Sequence, residues 1–359
     1  MLYNVRKYGT IVIVNDRCYP FEKERRYSMI KKITAFITAA AMACMLPLTA
    51  LAKTVENEVS VPPKIVVLGD SIAAGYGLEG FSEDRYSCDS YANILYNEYK
   101  KELPDDCPTD LANLSVVGDT SQQLLDHLQN KEFDDNLKGS DCVIISIGGN
   151  DILGLFLDFL MNDLGLTPDT TTEELLDKTK DIMGIAMDMK NMSDDMDKAL
   201  SGFGDRLNSV IDYINTQTDA TIIMQTLYDP LDNFTQGIVF QSMSKEKITK
   251  LNKIITDNAT DENGKERYLV ADVYSEFSGH GTEFTNITKY DIHPNKDGHT
   301  LIASCIDKVI RTKTYTYTTQ VPDSDKLSKK DVTIIAVSAA ACAAIIVAVI
   351  VTIKHKKKG

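Results

Sequence analysis

Five short apolar runs, each closed by a turn, recur along the middle of the chain: Lys64–Leu68, Leu111–Val117, Cys142–Ile147, Ala220–Leu227 and Tyr268–Tyr274. A run of that length without polar alternation is how a strand buried on both faces reads. Stretches with helical periodicity lie between them, at Ser90–Lys101, Ser121–Gln129, Asp205–Thr216, Ser244–Asn258 and Gly298–Arg311. Strands alternating with helices predict an α/β fold of three α/β/α layers, flavodoxin-like, with a central parallel sheet. A ligand site in such a sheet belongs at the carboxyl ends of the strands.

One segment is surplus to that pattern. Residues 155–204 are rich in Met, Asp and Leu, and Thr170-Thr-Thr-Glu-Glu174 reads as a helix start. Met183, Met187, Met189, Met192 and Met196 fit helix packing or, alternatively, a lipid-receiving groove. Because this helical insertion follows directly on Asn150-Asp151, it is placed to become a lid or wall of a cleft. Residues 53–63 and 313–331 read as linkers around a domain of residues 64–312.

The two ends read differently from the middle. From Met29 the chain shows Lys31-Lys32, an apolar stretch and Ala50-Leu51-Ala52, which is the layout of a secretory signal peptide over residues 29–52. An uncleaved N-terminal anchor is the alternative. Residues 1–28, mixed in charge and interrupted by Tyr19-Pro20, read as the product of an upstream start, with Met29 the true initiator. Val332–Ile353 is 22 residues without a charge. At 1.5 Å per residue that is roughly 33 Å, enough to cross a bilayer core. The basic tail of residues 354–359 then stays inside. The expectation is a single-pass membrane protein with its folded domain outside. A wall-sorting signal fits less well, since Ser324-Asp325 stands where a sortase needs Thr-Gly.

Charge adds a constraint on partners. The ends, residues 1–52 and 326–359, hold 15 of the 38 basic and 4 of the 52 acidic side chains. Residues 53–325 keep 23 basic against 48 acidic, and so repel nucleic acid and anionic polymers. Of their cysteines, Cys142 and Cys305 read as buried thiols, and Cys88 with Cys107 as a candidate surface disulfide. No metal-ligand spacing appears, and no cofactor is expected.

Four short motifs carry the candidate chemistry: Gly69-Asp70-Ser71, Gly118-Asp119-Thr120, Gly148-Gly149-Asn150-Asp151 and Asp291-Ile292-His293-Pro294. Each has a bland reading alone: Ser71 as a helix cap, Gly118 as a tight turn, Asn150 as a cap, His293 as a helix-start residue. Together they supply a nucleophile, a base with a carboxylate beside it, and donors for an oxyanion. The set resembles the SGNH/GDSL hydrolase superfamily from about Lys64 to Arg311, with blocks one and two similar to bacterial thioesterase/lysophospholipase members. The resemblance implies Ser71 as nucleophile and His293 as base. It implies an oxyanion hole of the Ser71 and Gly118 amides and the Asn150 side chain. In the family the triad aspartate usually stands three residues before the histidine. Here Tyr290 occupies that position and Asp291 stands two before, so either a tighter Ser-His-Asp triad or a Ser-His dyad follows. Asp70 and Asp151 read as structural.

The expected activity is that of a membrane-anchored serine esterase or lipase acting on small-molecule, glycan or lipid esters, from short acyl groups to lysophospholipids. An acyltransferase and an inactive surface-binding module are the alternatives.

Overall fold

The computed structural model describes residues 52–158, 182–235 and 238–322, with residues 165 and 174 besides. The segments read as an upstream start (1–28), a signal peptide (29–52, save its last residue), a membrane span (332–353) and a basic tail (354–359) lie outside the described residues, as does most of 159–181. Among the described residues no helix is long and apolar enough to cross a membrane.

In chain order the main elements are β1 (Ala52–Val59), β2 (Lys64–Gly69), α1 (Tyr91–Glu102), β3 (Asp110–Asn113), α2 (Ser121–Gln129), β4 (Cys142–Ser146) and α3 (Gly149–Asp158). They continue with α4 (Ile182–Ser201), α5 (Phe203–Gln217), β5 (Thr221–Gln225), α6 (Ile238–Asp257), β6 (Leu269–Ala271), α7 (Lys296–Ile310) and β7 (Tyr315–Pro322). Strands β2 to β6 form one parallel sheet in the order β3-β2-β4-β5-β6. Every position of β4 is buried, as is β2 after Lys64, so both faces are covered. Helices α1 and α7 pack together as one group, and α2 with α5 and α6 with α5 as another. Val67, Leu68, Ile144 and Ile145 are fully buried at the centre. Each such side chain contributes about 1.5–3 kcal/mol by leaving water. The sheet order reverses between β2 and β4, and the crevice at that switch point is where such folds bind ligands.

The stretches read as linkers each carry a strand. β1 and β7 pair as a separate two-stranded sheet. Thr314-Tyr-Thr-Tyr-Thr-Thr319 alternates with period 2, burying Tyr315 and half-burying Tyr317, which is a strand signal of its own. The candidate Cys88–Cys107 disulfide does not form: both cysteines are buried free thiols, like Cys142 and Cys305. The described part of the insertion after residue 181 is helix, α4 (Ile182–Ser201). Met192 and Met196 are buried in the core, Met189 is partly buried against it, and Met187 is exposed. Fully buried Lys247 on α6 reaches Asp197 of α4 at 2.7 Å and fastens the helix to the body.

Candidate active site

Each residue of Gly69-Asp70-Ser71 has a local reason to be where it is. A Cβ at position 69 would collide with the carbonyl oxygen of Ser146 on the adjacent strand, so β2 can end beside β4 only as glycine. Asp70 caps the helical turn Ser71–Ala74 by accepting the Ile72 amide at 2.9 Å. Ser71, first in that turn, keeps its own amide outside the intrahelical ladder, as part of the positive end of the turn. Asn113 ties the turn to the next strand by donating to the Ala73 carbonyl at 2.9 Å.

The histidine arrives on a loop. A 3₁₀ turn, Ile287–Lys289, ends at Tyr290, whose φ of 59° is left-handed. That reversal brings Asp291 back over its own loop. Its Oδ1 accepts both the backbone amide of His293 at 3.0 Å and the ring Nδ1 at 2.5 Å. With Nδ1–H committed to Asp291, Nε2 is the acceptor, and it stands 2.8 Å from Ser71 Oγ. The shortened spacing therefore still brings Ser71, His293 and Asp291 into one hydrogen-bonded relay. The loop is held by Tyr228, whose hydroxyl donates to the Ile292 carbonyl at 2.9 Å, and by the Asn286 amide on the His293 carbonyl, also at 2.9 Å. The exposed ring of Tyr76 lies against the imidazole, 4.8 Å between centroids.

The other two motifs leave strands on either side of β2. Gly118, in the loop after β3, has φ +91° and open space where a Cβ would be. Its amide has no internal partner among the described residues. Asn150, in the first turn of α3 after β4, donates from Nδ2 to the Asp119 carbonyl at 2.8 Å. One amide hydrogen is thus engaged and the other is left for a ligand.

Charge around the relay is uneven. Burial pushes the Asp70 carboxyl up to about 7, with Asp151 and Asp119 adding to the rise and the Ile72 amide and His293 opposing it. Asp291 moves the other way: partial burial would raise it, but the hydrogen bonds from His293 outweigh that and hold it below the usual carboxylate range. His299, fully buried, is pushed down to about 3 by desolvation, with a smaller contribution from His293. Its Nδ1 accepts the Tyr91 amide at 3.3 Å, so it serves as a neutral core residue. His127 pairs with Glu132 at 2.6 Å and lies 3.3 Å from Asp119 without hydrogen-bond alignment. His280 pairs with Glu283 on the surface. A cleft of about 500 Å³ lined by Asp229, Asp232, Gln241, Lys245, Tyr274 and Ser278 contains no member of the relay.

Sequence reasoning missed Arg206. Its guanidinium reaches Ser121, which follows the Gly118 motif, and Asp151, which ends the Asn150 motif. A lone arginine 55 positions from its carboxylate partner carries no signal in the sequence.

A parallel sheet with a serine–histidine–aspartate relay at its carboxyl edge defines a serine hydrolase arrangement. The GDSL-like Lipase/Acylhydrolase family profile matches residues 67–301, and the chain belongs to that family. It is accordingly an enzyme of the serine esterase/lipase class. No curated protein matches the sequence. Among solved structures, an extracellular lipase from Streptomyces rimosus is similar at 16% identity and TM-score 0.49, covering 68% of this chain and 99% of its own. The lipase Lip_vut3 from a goat rumen metagenome aligns at 15% identity and TM-score 0.47, over 68% of this chain and 96% of its own. A catalytic mutant of an acetylxylan esterase from Geobacillus stearothermophilus aligns at 16% identity and TM-score 0.45, over 69% and 94%.

Proposed function

We propose that the protein is an exported, membrane-anchored serine esterase in which Ser71 attacks a carboxylic ester carbonyl. The observation that carries this reading is the continuous relay from Ser71 Oγ through His293 to Asp291, at 2.8 and 2.5 Å. His293 takes the serine proton and Asp291 stabilises the imidazolium that forms. The tetrahedral oxyanion is held by the Ser71 and Gly118 amides and the free hydrogen of the Asn150 amide. His293 then protonates the leaving alcohol, and the acyl-enzyme is hydrolysed by a water that the same histidine activates. Thiol esters would follow the same path. Export and anchoring are supported by the signal-like residues 29–52 and the apolar residues 332–353.

Hydrolysis of p-nitrophenyl acetate, butyrate and palmitate by the full-length protein tests the reading. Turnover is expected with wild type and not with Ser71→Ala. Equal rates in the two would overturn it. The chain-length profile then separates a short-acyl esterase from a lipase, and recovery in the membrane fraction after a salt wash tests the anchor.

A further inference from the structure

Behind the two oxyanion motifs lies a polar network that the reaction scheme above does not use. Asp151, its side chain 4% exposed, accepts the Ser121 amide on Oδ2 at 2.8 Å and the Ser121 hydroxyl on Oδ1 at 2.6 Å. Arg206, in the first turn of α5, completes it. Its Nε donates to Ser121 Oγ at 2.7 Å, and its Nη2 donates to Asp151 Oδ1 at 3.0 Å and to the Ala199 carbonyl at 2.9 Å. The guanidinium passes across Gly202, where even one methyl carbon would stand 2.5 Å from Nη1.

We propose that Arg206 is a positioning residue that sets the separation of Gly118 and Asn150 by clamping Ser121 to Asp151. This rests on the esterase reading. Gly118 and Asn150 leave different strands, β3 and β4, which are not neighbours in the sheet. No ladder hydrogen bond therefore fixes one against the other. Two links do. The first is direct, from the Asn150 side chain to the Asp119 carbonyl. The second runs one residue beyond Asn150 and three beyond Gly118, through Asp151, Ser121 and the planar fork of Arg206. A fork can hold two acceptors at fixed angles, which an ammonium cannot. Oxyanion donors act by being aimed before the charge develops. A clamp on their backbones therefore shows in turnover rather than in substrate binding. The bond to Ala199, in the last turn of α4, makes the end of the insertion helix part of the same clamp.

The competing account is that these bonds only secure the starts of α2 and α3. The two differ in a mutant cycle on the full-length protein with p-nitrophenyl butyrate: Arg206→Gln, Asn150→Ala and the double variant. Positioning predicts that Arg206→Gln lowers kcat about 10- to 100-fold with KM within about twofold. It also predicts that this loss vanishes in the Asn150→Ala background, the double variant being within about twofold of Asn150→Ala alone. Losses that multiply, or a lower thermal midpoint with kcat unchanged, would overturn the proposal. If Arg206→Gln does not fold, Arg206→Lys takes its place in the same cycle, since it keeps a charge beside Asp151 but loses the fork. Ser71→Ala separates the two levels. Multiplying losses in an enzyme that Ser71→Ala inactivates remove the clamp and leave the esterase. Activity that survives Ser71→Ala removes both.

Discussion

The nucleophile side of the site stands on the ends of buried strands, whereas the base side stands on a loop. Gly69, Asp70 and Ser71 end a strand buried along five of its six positions, and Asp70 is 1% exposed. Asp291 and His293 follow a 3₁₀ turn, with side chains 36% and 15% exposed. The first half is held by packing and close backbone approach. The second is held by hydrogen bonds: Tyr228 to Ile292, Asn286 to His293, and the backbone amide and ring Nδ1 of His293 to Asp291. A half made by packing breaks through volume and buried charge, and a half made by hydrogen bonds breaks through geometry and protonation.

The largest expected effect ignores that distinction. Ser71→Ala should lower kcat by about 10⁴-fold or more while the thermal midpoint holds, because the hydroxyl does chemistry rather than packing. Differential scanning fluorimetry beside the ester assay checks both parts. On the base side, Asp291→Ala should cost on the order of 10³- to 10⁴-fold in kcat. Restoring an acid at the usual family position, with Tyr290→Asp added to Asp291→Ala, should not recover it. Residue 290 is left-handed and its ring meets Phe234, 5.8 Å between centroids, rather than the imidazole. Recovery in that double variant would show that the loop adapts, and would erase the contrast drawn here.

Next in size, Asn150→Ala should cost about 100- to 1,000-fold in kcat with little change in KM, as expected for an oxyanion donor. The smallest effect divides the halves by pH. Asp70 binds its proton more tightly folded than unfolded, its carboxyl being pushed up to about 7 by burial. Its contribution to stability is therefore complete below the ordinary carboxylate range and is lost as pH rises through about 7. Asp291, held low by His293, contributes in the opposite sense and loses its share as pH falls. His299, pushed down to about 3, adds to acid lability, since the unfolded chain takes up a proton below its ordinary value that the fold refuses. Asp70→Asn should accordingly flatten the alkaline decline in urea midpoint between pH 5 and pH 8 and leave the acid limb alone. An unchanged alkaline limb would show that Asp70 does not set it.

Much of this was legible in the sequence because each motif carries its own local cause. The five apolar runs are the five sheet strands: β2 runs one residue further than read, β3 starts one residue earlier and ends sooner, and the other three are trimmed. Gly69 is required by the Ser146 carbonyl and Asp70 by the turn it caps, so the tripeptide marks where β2 ends, and the other three motifs were needed to read Ser71 as a candidate nucleophile. What failed to show had no local cause. Nothing in a tyrosine announces a left-handed backbone, so the spacing of Asp291 to His293 remained open until Tyr290 was seen to reverse the chain. Arg206 is useful only through Ser121 and Asp151, 85 and 55 residues away. β1 and β7 lie at opposite ends of the domain, where the short period-2 pattern of each looked like a tether.

The four thiols buried across residues 52–322 have a practical consequence. With no covalent cross-link in that region, folding there is indifferent to the redox state of its surroundings, and a reducing host or a buffer with reductant should yield the same domain. The native domain should also be silent to thiol-directed dyes. A single cysteine introduced on its surface then becomes a unique attachment point within residues 52–322 for a fluorophore or spin label, and opening of the fold could be followed by the dye uptake of the other four.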